Sequence, residues 1–524
     1  MKSIYGRLAL IGLTAILIML PNLLWGPGDT DDVRYSFVWT EQFGKAMAAG
    51  SFYPRWLPDS FQGLGSSAFY FYPPASYWLA GGIKAIGLSS ALAITTSFTI
   101  LLALSGMTMH IWLAERGTRP MIGALLYMAA PYHLMDIYVR GALAETAAFT
   151  LLPLVALGIA RLPRRNGFLL LCLSFAGLLI THLPMALLTG IFLIVPLLIG
   201  RLRTNQTILP SAAFAGALAF GLAAFYLVPA LTLQRYVSTQ WLWGPYHQPS
   251  SWSALSPHSL IYQFPAFLAV APVGMLIASG AQPSWRFITL GTGLASIGLI
   301  PFLWDLPLLG QVQFPWRLLA IVEFAAITAF VSARPQPWAA RLAAILAVFA
   351  YGHWTQRTVD SFFRPVDFVA LARDLPDAAE YLPSGFDGNL IRKTDRMMDL
   401  RQWQSLPRSD VMTVTRPGLV KVGRAAFPIW RVERDGVIIP SSGPMLHFEA
   451  DAPGTYRITR VMLWQEVTGG MISLLSVLVL AGLFLPVRRI SHLSKFPAYS
   501  PFSAILNWAV SGRLGRSRHS GGDT

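Results

Sequence analysis

Between Gly28 and Tyr35 the chain reads Gly-Asp-Thr-Asp-Asp-Val-Arg-Tyr, so Asp31 stands beside Asp32, with Asp29 just before and Arg34 just after. Adjacent carboxylates can serve as a general base or bind a divalent cation. A solvated loop, or an N-cap for the segment at 36–49, explains the same residues nearly as well. Other ionisable side chains recur where apolar stretches stop: the acids Asp59, Asp136, Glu145 and Asp305, the bases Arg55, Arg140, Arg235 and Arg317, and His133 and His182. Asp31, Arg140, Glu145, His182 and Arg317 abut apolar segments, where charge is costly without a partner or a water-filled site. As a group they suggest a polar cavity at one face, rimmed by Tyr and Trp.

The elements that must position these residues are set by composition. Of 524 residues, 54% are hydrophobic and only 12% charged. A soluble protein carries about twice that charged fraction, so an ordinary globular enzyme is excluded. Apolar stretches near the ~20 residues needed to cross a bilayer recur up to about residue 350. The net charge of +15 comes with no nucleic-acid-binding motif, because the basic residues mostly occupy short loops between apolar stretches. Cys172, the single cysteine, lies inside an apolar segment, which leaves no disulfide framework and no Cys-rich metal site.

Basic loops mark the cytoplasmic side. Leu8–Trp25 follows Lys2 and Arg7 and runs into Trp-Gly-Pro-Gly-Asp without a small-residue cleavage site, so it reads as an uncleaved first span. A long outer loop at 26–89 follows, then spans at about 90–113 and 120–137. Arg116 and Arg119, then Arg161, Arg164 and Arg165, then Arg201 and Arg203, then Arg286, then Arg334 and Arg341 fall in alternate connections. The run Ala75–Leu88 is short for a span and is assigned as an interfacial or re-entrant helix; otherwise the later loops would invert. The resulting expectation is a mainly α, polytopic membrane protein of about twelve transmembrane helices with both termini cytoplasmic. Residues 1–354 form its transmembrane domain and 355–465 a small β-rich extracytoplasmic domain. A last helix follows at 466–487, then a basic tail at 488–524. Alternating runs around Asp435-Gly436 and Pro453-Gly454 carry the hairpin signature.

The order of motifs resembles that of GT-C glycosyltransferases, polytopic enzymes that use polyprenyl-phosphate sugars. Asp31-Asp-Val-Arg-Tyr35 looks like the Asp-Glu-x-Arg-Tyr of protein O-mannosyltransferases and lipid A aminoarabinose transferases, and Pro73-Pro-Ala-Ser-Tyr-Trp78 is similar to their Lys-Pro-Pro-Leu-x-Tyr-Trp. A closer resemblance is to the bacterial membrane family labelled "6-pyruvoyl-tetrahydropterin synthase-related" and to YfhO-like proteins. It rests on Tyr53-Pro-Arg-Trp56, Phe71-Tyr-Pro-Pro74, Arg140-Gly-Ala-Leu-Ala-Glu145, Thr181-His-Leu-Pro184 and Gln313-Phe-Pro-Trp-Arg317, with Phe427-Pro-Ile-Trp-Arg-Val-Glu-Arg-Asp-Gly436 near the end. The family label implies no pterin site. Where the aminoarabinose transferases carry Lys before Pro-Pro, this chain has Tyr72, so donor phosphate falls to other groups.

The resemblance implies a GT-C-type membrane glycosyltransferase. It would move a sugar from a polyprenyl-phosphate donor to a cell-envelope glycan or lipid acceptor, on the extracytoplasmic side of a bacterial inner membrane. Asp31 is the expected base by motif position, with Asp32 as fallback. Arg140 and Arg317 are the phosphate candidates, because guanidinium pairs with phosphate bidentately. Glu145 would orient the acceptor, bind metal or simply pair with Arg140, and His182 is as well explained by its helix end. Arg34, Arg55, Tyr72, Gln313 and Trp316 complete the candidate substrate-binding set. A divalent cation is a candidate cofactor, and membrane lipids are the remaining partner. The competing readings are a transporter or flippase of lipid-linked glycan and a non-catalytic envelope scaffold. Against transport, only Glu323 lies well inside a span.

Overall fold

The computed structural model describes residues 2–253, 283–333, 337–362, 366–386 and 405–484. Six helices are long and apolar enough to cross a membrane: Ile4–Trp25, Ser90–Glu115, Leu143–Arg161, Leu183–Leu202, Pro315–Ser332 and Trp464–Leu483. The pair Ile208–Leu222 and Ala224–Thr232, bent by 71°, makes a seventh if it is one broken span. Arg165–Thr181 is apolar but shorter. The protein is therefore an integral membrane protein. The described residues carry six or seven spans of the expected dozen; 254–282 and the tail at 488–524 lie outside them.

Local chemistry accounts for the helix ends near the site. The Ser89 hydroxyl accepts from Leu92 N at 3.3 Å and starts the helix Ser90–Glu115. The stretch expected as one span at 120–137 is instead broken. A helix Pro120–Met128 stops, Ala130 is extended, and a new helix Pro131–Met135 begins at a proline that has no N–H to continue the ladder. It loosens into a π turn, Asp136–Arg140, and Gly141 at φ +63° ends it. Helix Leu143–Phe149 then starts afresh. The Ala75–Leu88 run forms a single helix of 11 residues, Ala75–Ala85, too short to cross.

Among the described residues, strands begin only after the helix Pro337–Phe362, which runs past residue 355, and occupy 411–460. They are β1 (Val411–Val414), β2 (Gly418–Ala425), β3 (Trp430–Arg434), β4 (Val437–Ile439), β5 (Ser441–Ser442), β6 (Met445–Ala450) and β7 (Gly454–Arg460). Two antiparallel sheets, in the orders β1-β7-β3-β4 and β2-β6-β5, close over Val422, Val432, Leu446, Phe448, Tyr456 and Ile458. Asp435-Gly436, both at positive φ, makes the expected hairpin between β3 and β4. Pro453-Gly454 does not: it carries the chain from one sheet to the other, because β6 pairs with β2 and β7 with β3. Tyr456 pins that crossing by donating to Asp451 Oδ1 and Ala452 O, each at 2.8 Å.

The sheets are joined to the long loop through Trp56. Its ring meets Trp430 edge-on at 5.2 Å and Phe427 at 6.1 Å. Ala425 N donates to Leu64 O at 2.7 Å beside it. A Cβ on Gly65 would sit 2.3 Å from the Trp56 ring, so the loop needs glycine there to let the indole in. Replacing Trp56 by alanine should cost about 3–5 kcal/mol and loosen this joint. The expected outcome is a lower thermal midpoint and faster proteolysis within 405–460; unchanged proteolysis would show that the ring is not the joint.

Candidate functional site

Glu145 is the centre of the site and is fully buried. Its Oε2 lies 2.6 Å from Arg140 Nη1 and 3.4 Å from Arg317 Nε, and its Oε1 accepts from the Tyr132 hydroxyl at 2.6 Å. Arg140 Nη1 also donates to Asp136 Oδ1 at 2.6 Å and reaches the Tyr132 hydroxyl at 3.2 Å. Two carboxylates thus share the two protons of one guanidinium nitrogen. The π turn is what makes this possible, since it sets Asp136 and Arg140 on one face just before the Gly141 reversal.

Arg317 is less committed. Its Nη1 donates to Val312 O at 2.6 Å and meets Gln313 Oε1 at 3.5 Å, while its Nε has no hydrogen-bond acceptor despite the nearby Glu145 charge. Gln313, at positive φ, also donates to Leu242 O at 3.3 Å, so it braces the turn that aims Arg317. Trp316 is packed inward, stacked on Phe314 at 4.5 Å and edge-on to Trp252 at 4.4 Å. Its face is therefore filled by protein.

The Asp31-Asp32 loop hangs on the same turn by its backbone. Asp31 N donates to Val139 O at 3.2 Å and Asp32 N to Arg140 O at 2.8 Å. Asp31 is exposed and Asp32 half-buried. Loss of water around Asp32 pushes its carboxyl up to about 6; the Arg140 and Arg317 charges pull against that, and Asp31 and Glu145 reinforce it. Tyr72 is also half-buried and faces the same charges, its ring edge-on to Trp39 at 4.6 Å. Burial raises its phenol well above the usual value.

His182 takes the helix-end role. It is extended, and its Nδ1 accepts from Met185 N at 3.2 Å, capping the helix Leu183–Thr189. An accepting Nδ1 puts the proton on Nε2, which lies 4.0 Å from Glu145 Oε2, beyond hydrogen-bond reach. Arg34 and Arg55 have other partners. Arg34 is exposed, 3.8 Å from Asp29. Arg55 is buried against Glu466 at 3.3 Å and Phe225 O at 2.9 Å, over the Tyr53 ring. That ties the long loop to the last helix.

Sequence reasoning missed two contributors. Tyr132 carried no motif and matters only because Pro131 restarts a helix there. Glu380, in the turn Ala379–Tyr381, is half-buried; burial pushes it up to about 7, and Asp377 and Asp32 add to the shift. Its segment is fastened by Trp39 Nε1, which donates to Asp377 Oδ1 at 2.7 Å. Among the described residues, no group of three or more His, Cys, Asp or Glu stands together as a metal site. Both Glu145 oxygens already have partners, so it is poorly placed to take a cation. A small crevice, with room for about one water, lies behind the aspartate loop, lined among others by Gly28, Thr30, Phe98, Tyr138 and Gly141, but by neither arginine.

No family model matches the chain, and no curated protein matches it. Among solved structures, the arabinofuranosyltransferase AftD from mycobacteria is similar at a TM-score of 0.45 and 17% identity, over 68% of this chain and 27% of that one. ArnT from Cupriavidus metallidurans bound to undecaprenyl phosphate is similar at 0.43 and 13% identity, over 65% of this chain and 62% of that one. The chain thus spans about a quarter of AftD.

Gly141 offers a test of the loop's suspension. A Cβ there would lie 2.1 Å from Thr30 Oγ1, and its left-handed backbone costs an ordinary residue about 1–2 kcal/mol. Gly141→Ala should lower the thermal midpoint. Gly190→Ala, where nothing lies within 4 Å, should not. Equal midpoints for the two variants would show that the turn does not need glycine.

Proposed function

We propose that this protein is a membrane glycosyltransferase. It moves a sugar from a polyprenyl-phosphate donor to a cell-envelope glycan or lipid acceptor, at the extracytoplasmic face of a bacterial inner membrane. The observation that carries this reading is a half-buried carboxyl, Asp32, held under the charges of two buried guanidiniums, Arg140 and Arg317, where membrane-crossing helices end. The motif order described above supports the donor class.

The reaction asks for little acid help, since phosphate leaves readily; it asks for a base at the acceptor and cations at the departing phosphate. In the proposed step the acceptor oxygen forms the new bond to the anomeric carbon. The bond from that carbon to the phosphate oxygen breaks, and its electron pair stays on the phosphate. The acceptor proton passes to Asp32. The family resemblance implies inversion at that carbon. Asp32 takes this role ahead of Asp31 because it is the less exposed of the two and feels the charge of both arginines. Arg317, whose Nε has an ion pair with Glu145 at 3.4 Å but no hydrogen-bond acceptor, suits the phosphate. Arg140 is held by Asp136 and Glu145 and acts through its field.

Labelled-sugar transfer in membranes, with expression and insertion checked, tests the reading. Asp32→Asn should lower transfer by about 10²–10⁴-fold, the usual worth of a general base, while Asp31→Asn retains most of it. Full activity in Asp32→Asn would overturn the assignment. The pH profile follows from the raised carboxyl: the base works only when ionised. Transfer should therefore fall as pH drops through about 6 and level off above it.

A further inference from the structure

Glu323 is an ionisable residue in the middle of an apolar span, and the mechanism above leaves it unused. It lies in the helix Leu319–Ser332 and is 4% exposed. An ionised carboxylate there costs several kcal/mol unless something neutralises or solvates it. What meets it is backbone: Oε1 accepts from Tyr132 N at 2.6 Å and Oε2 from His133 N at 3.2 Å. These are amides of the first turn of the helix Pro131–Met135, where a helix leaves its N–H groups unpaired and its dipole favours negative charge. Ala130 stands at the capping position and has no side-chain oxygen to offer. The cap comes from a different helix.

The capped residue is the one that organises the site. Tyr132 donates its hydroxyl proton to Glu145 Oε1 at 2.6 Å and stands 3.2 Å from Arg140 Nη1. Arg317 sits in the turn Pro315–Leu318 that runs directly into the Glu323 helix. One element therefore meets the cluster at two levels: Arg317 reaches Glu145, and Glu323 holds the amide of Tyr132, which bonds Glu145. We infer that Glu323 is a positioning residue, which sets the Arg140–Glu145 pair against Arg317 by capping the helix that carries Tyr132. Both its oxygens are taken by amides, a poor arrangement for a charge that must move during transport. The role rests on the donor reading given above, because its consequence is the geometry offered to a lipid phosphate.

Full-length protein in lipid nanodiscs, with undecaprenyl phosphate as the probe, tests this. Glu323→Gln leaves one acceptor oxygen and turns an NH₂ toward an N–H, so affinity for the probe should fall tenfold or more, and amide exchange at 132–136 should quicken. Tyr132→Phe should weaken binding too. Because Glu323 acts through Tyr132, the double variant should bind no worse than the weaker single; additive losses would reduce Glu323 to a general stabiliser and overturn the role. If Glu323→Gln fails to fold, Glu323→Asp decides: it keeps the carboxyl but withdraws it by one methylene, and affinity equal to wild type overturns the inference. Wild-type protein that does not bind undecaprenyl phosphate overturns the donor reading. Wild-type binding that Glu323→Gln leaves within twofold overturns the positioning role alone.

Discussion

A fully buried carboxylate at Glu145 constrains much of this structure, because a charge so placed is tolerable only when every lone pair is answered. Tyr132 and Arg140, from the stretch 131–140, and Arg317, from the turn Pro315–Leu318, answer it. Their convergence fixes how the broken 120–140 segment, the span that starts at Leu143 and the span that starts at Pro315 stand against one another. Losing any one partner leaves the others with unmatched buried charge, which is more damaging than losing a surface pair. The site and the helix packing around it are therefore one problem with one solution.

The surrounding features follow from that anchoring. The aspartate loop takes its place from two backbone hydrogen bonds to Val139 and Arg140, which set Asp32 within the field of both arginines. Gln313 and Val312 hold Arg317 from behind. The Tyr53-Pro-Arg-Trp56 motif does different work. Tyr53 donates to Phe69 O at 2.7 Å, Arg55 pairs with Glu466, and Trp56 seats the sheets. It is a joint between the long loop, the last helix and the strand-rich part. Motifs that sit together in sequence order thus serve two ends, one chemical and one mechanical.

Legibility in the sequence divides along the same line. Arg140, Glu145 and Arg317 could be singled out because charge beside apolar chain is costly, and the structure brings them together. The strand alternation and the Asp435-Gly436 hairpin were legible because both are local. The break at Pro131 was not: the proline is visible, but whether it kinks a span or restarts a helix depends on what caps the new end. Pro453-Gly454 misled for a related reason, since a turn signal says that the chain reverses and not which sheet it joins. Glu380 gave no signal at all, being one acid in a charged stretch.

By itself, then, the sequence determined that this is a membrane protein and which charges cannot be left alone. Those are matters of solvation, and solvation is written residue by residue. Only the tertiary structure decided that Asp32 lies in the field of both arginines, that Glu145 is already spoken for, and that Arg55 and His182 hold elements in place. It also decided that a lone intramembrane acid, Glu323, caps a distant helix. These are pairings across the fold, and which donor reaches which acceptor exists only once the helices are packed.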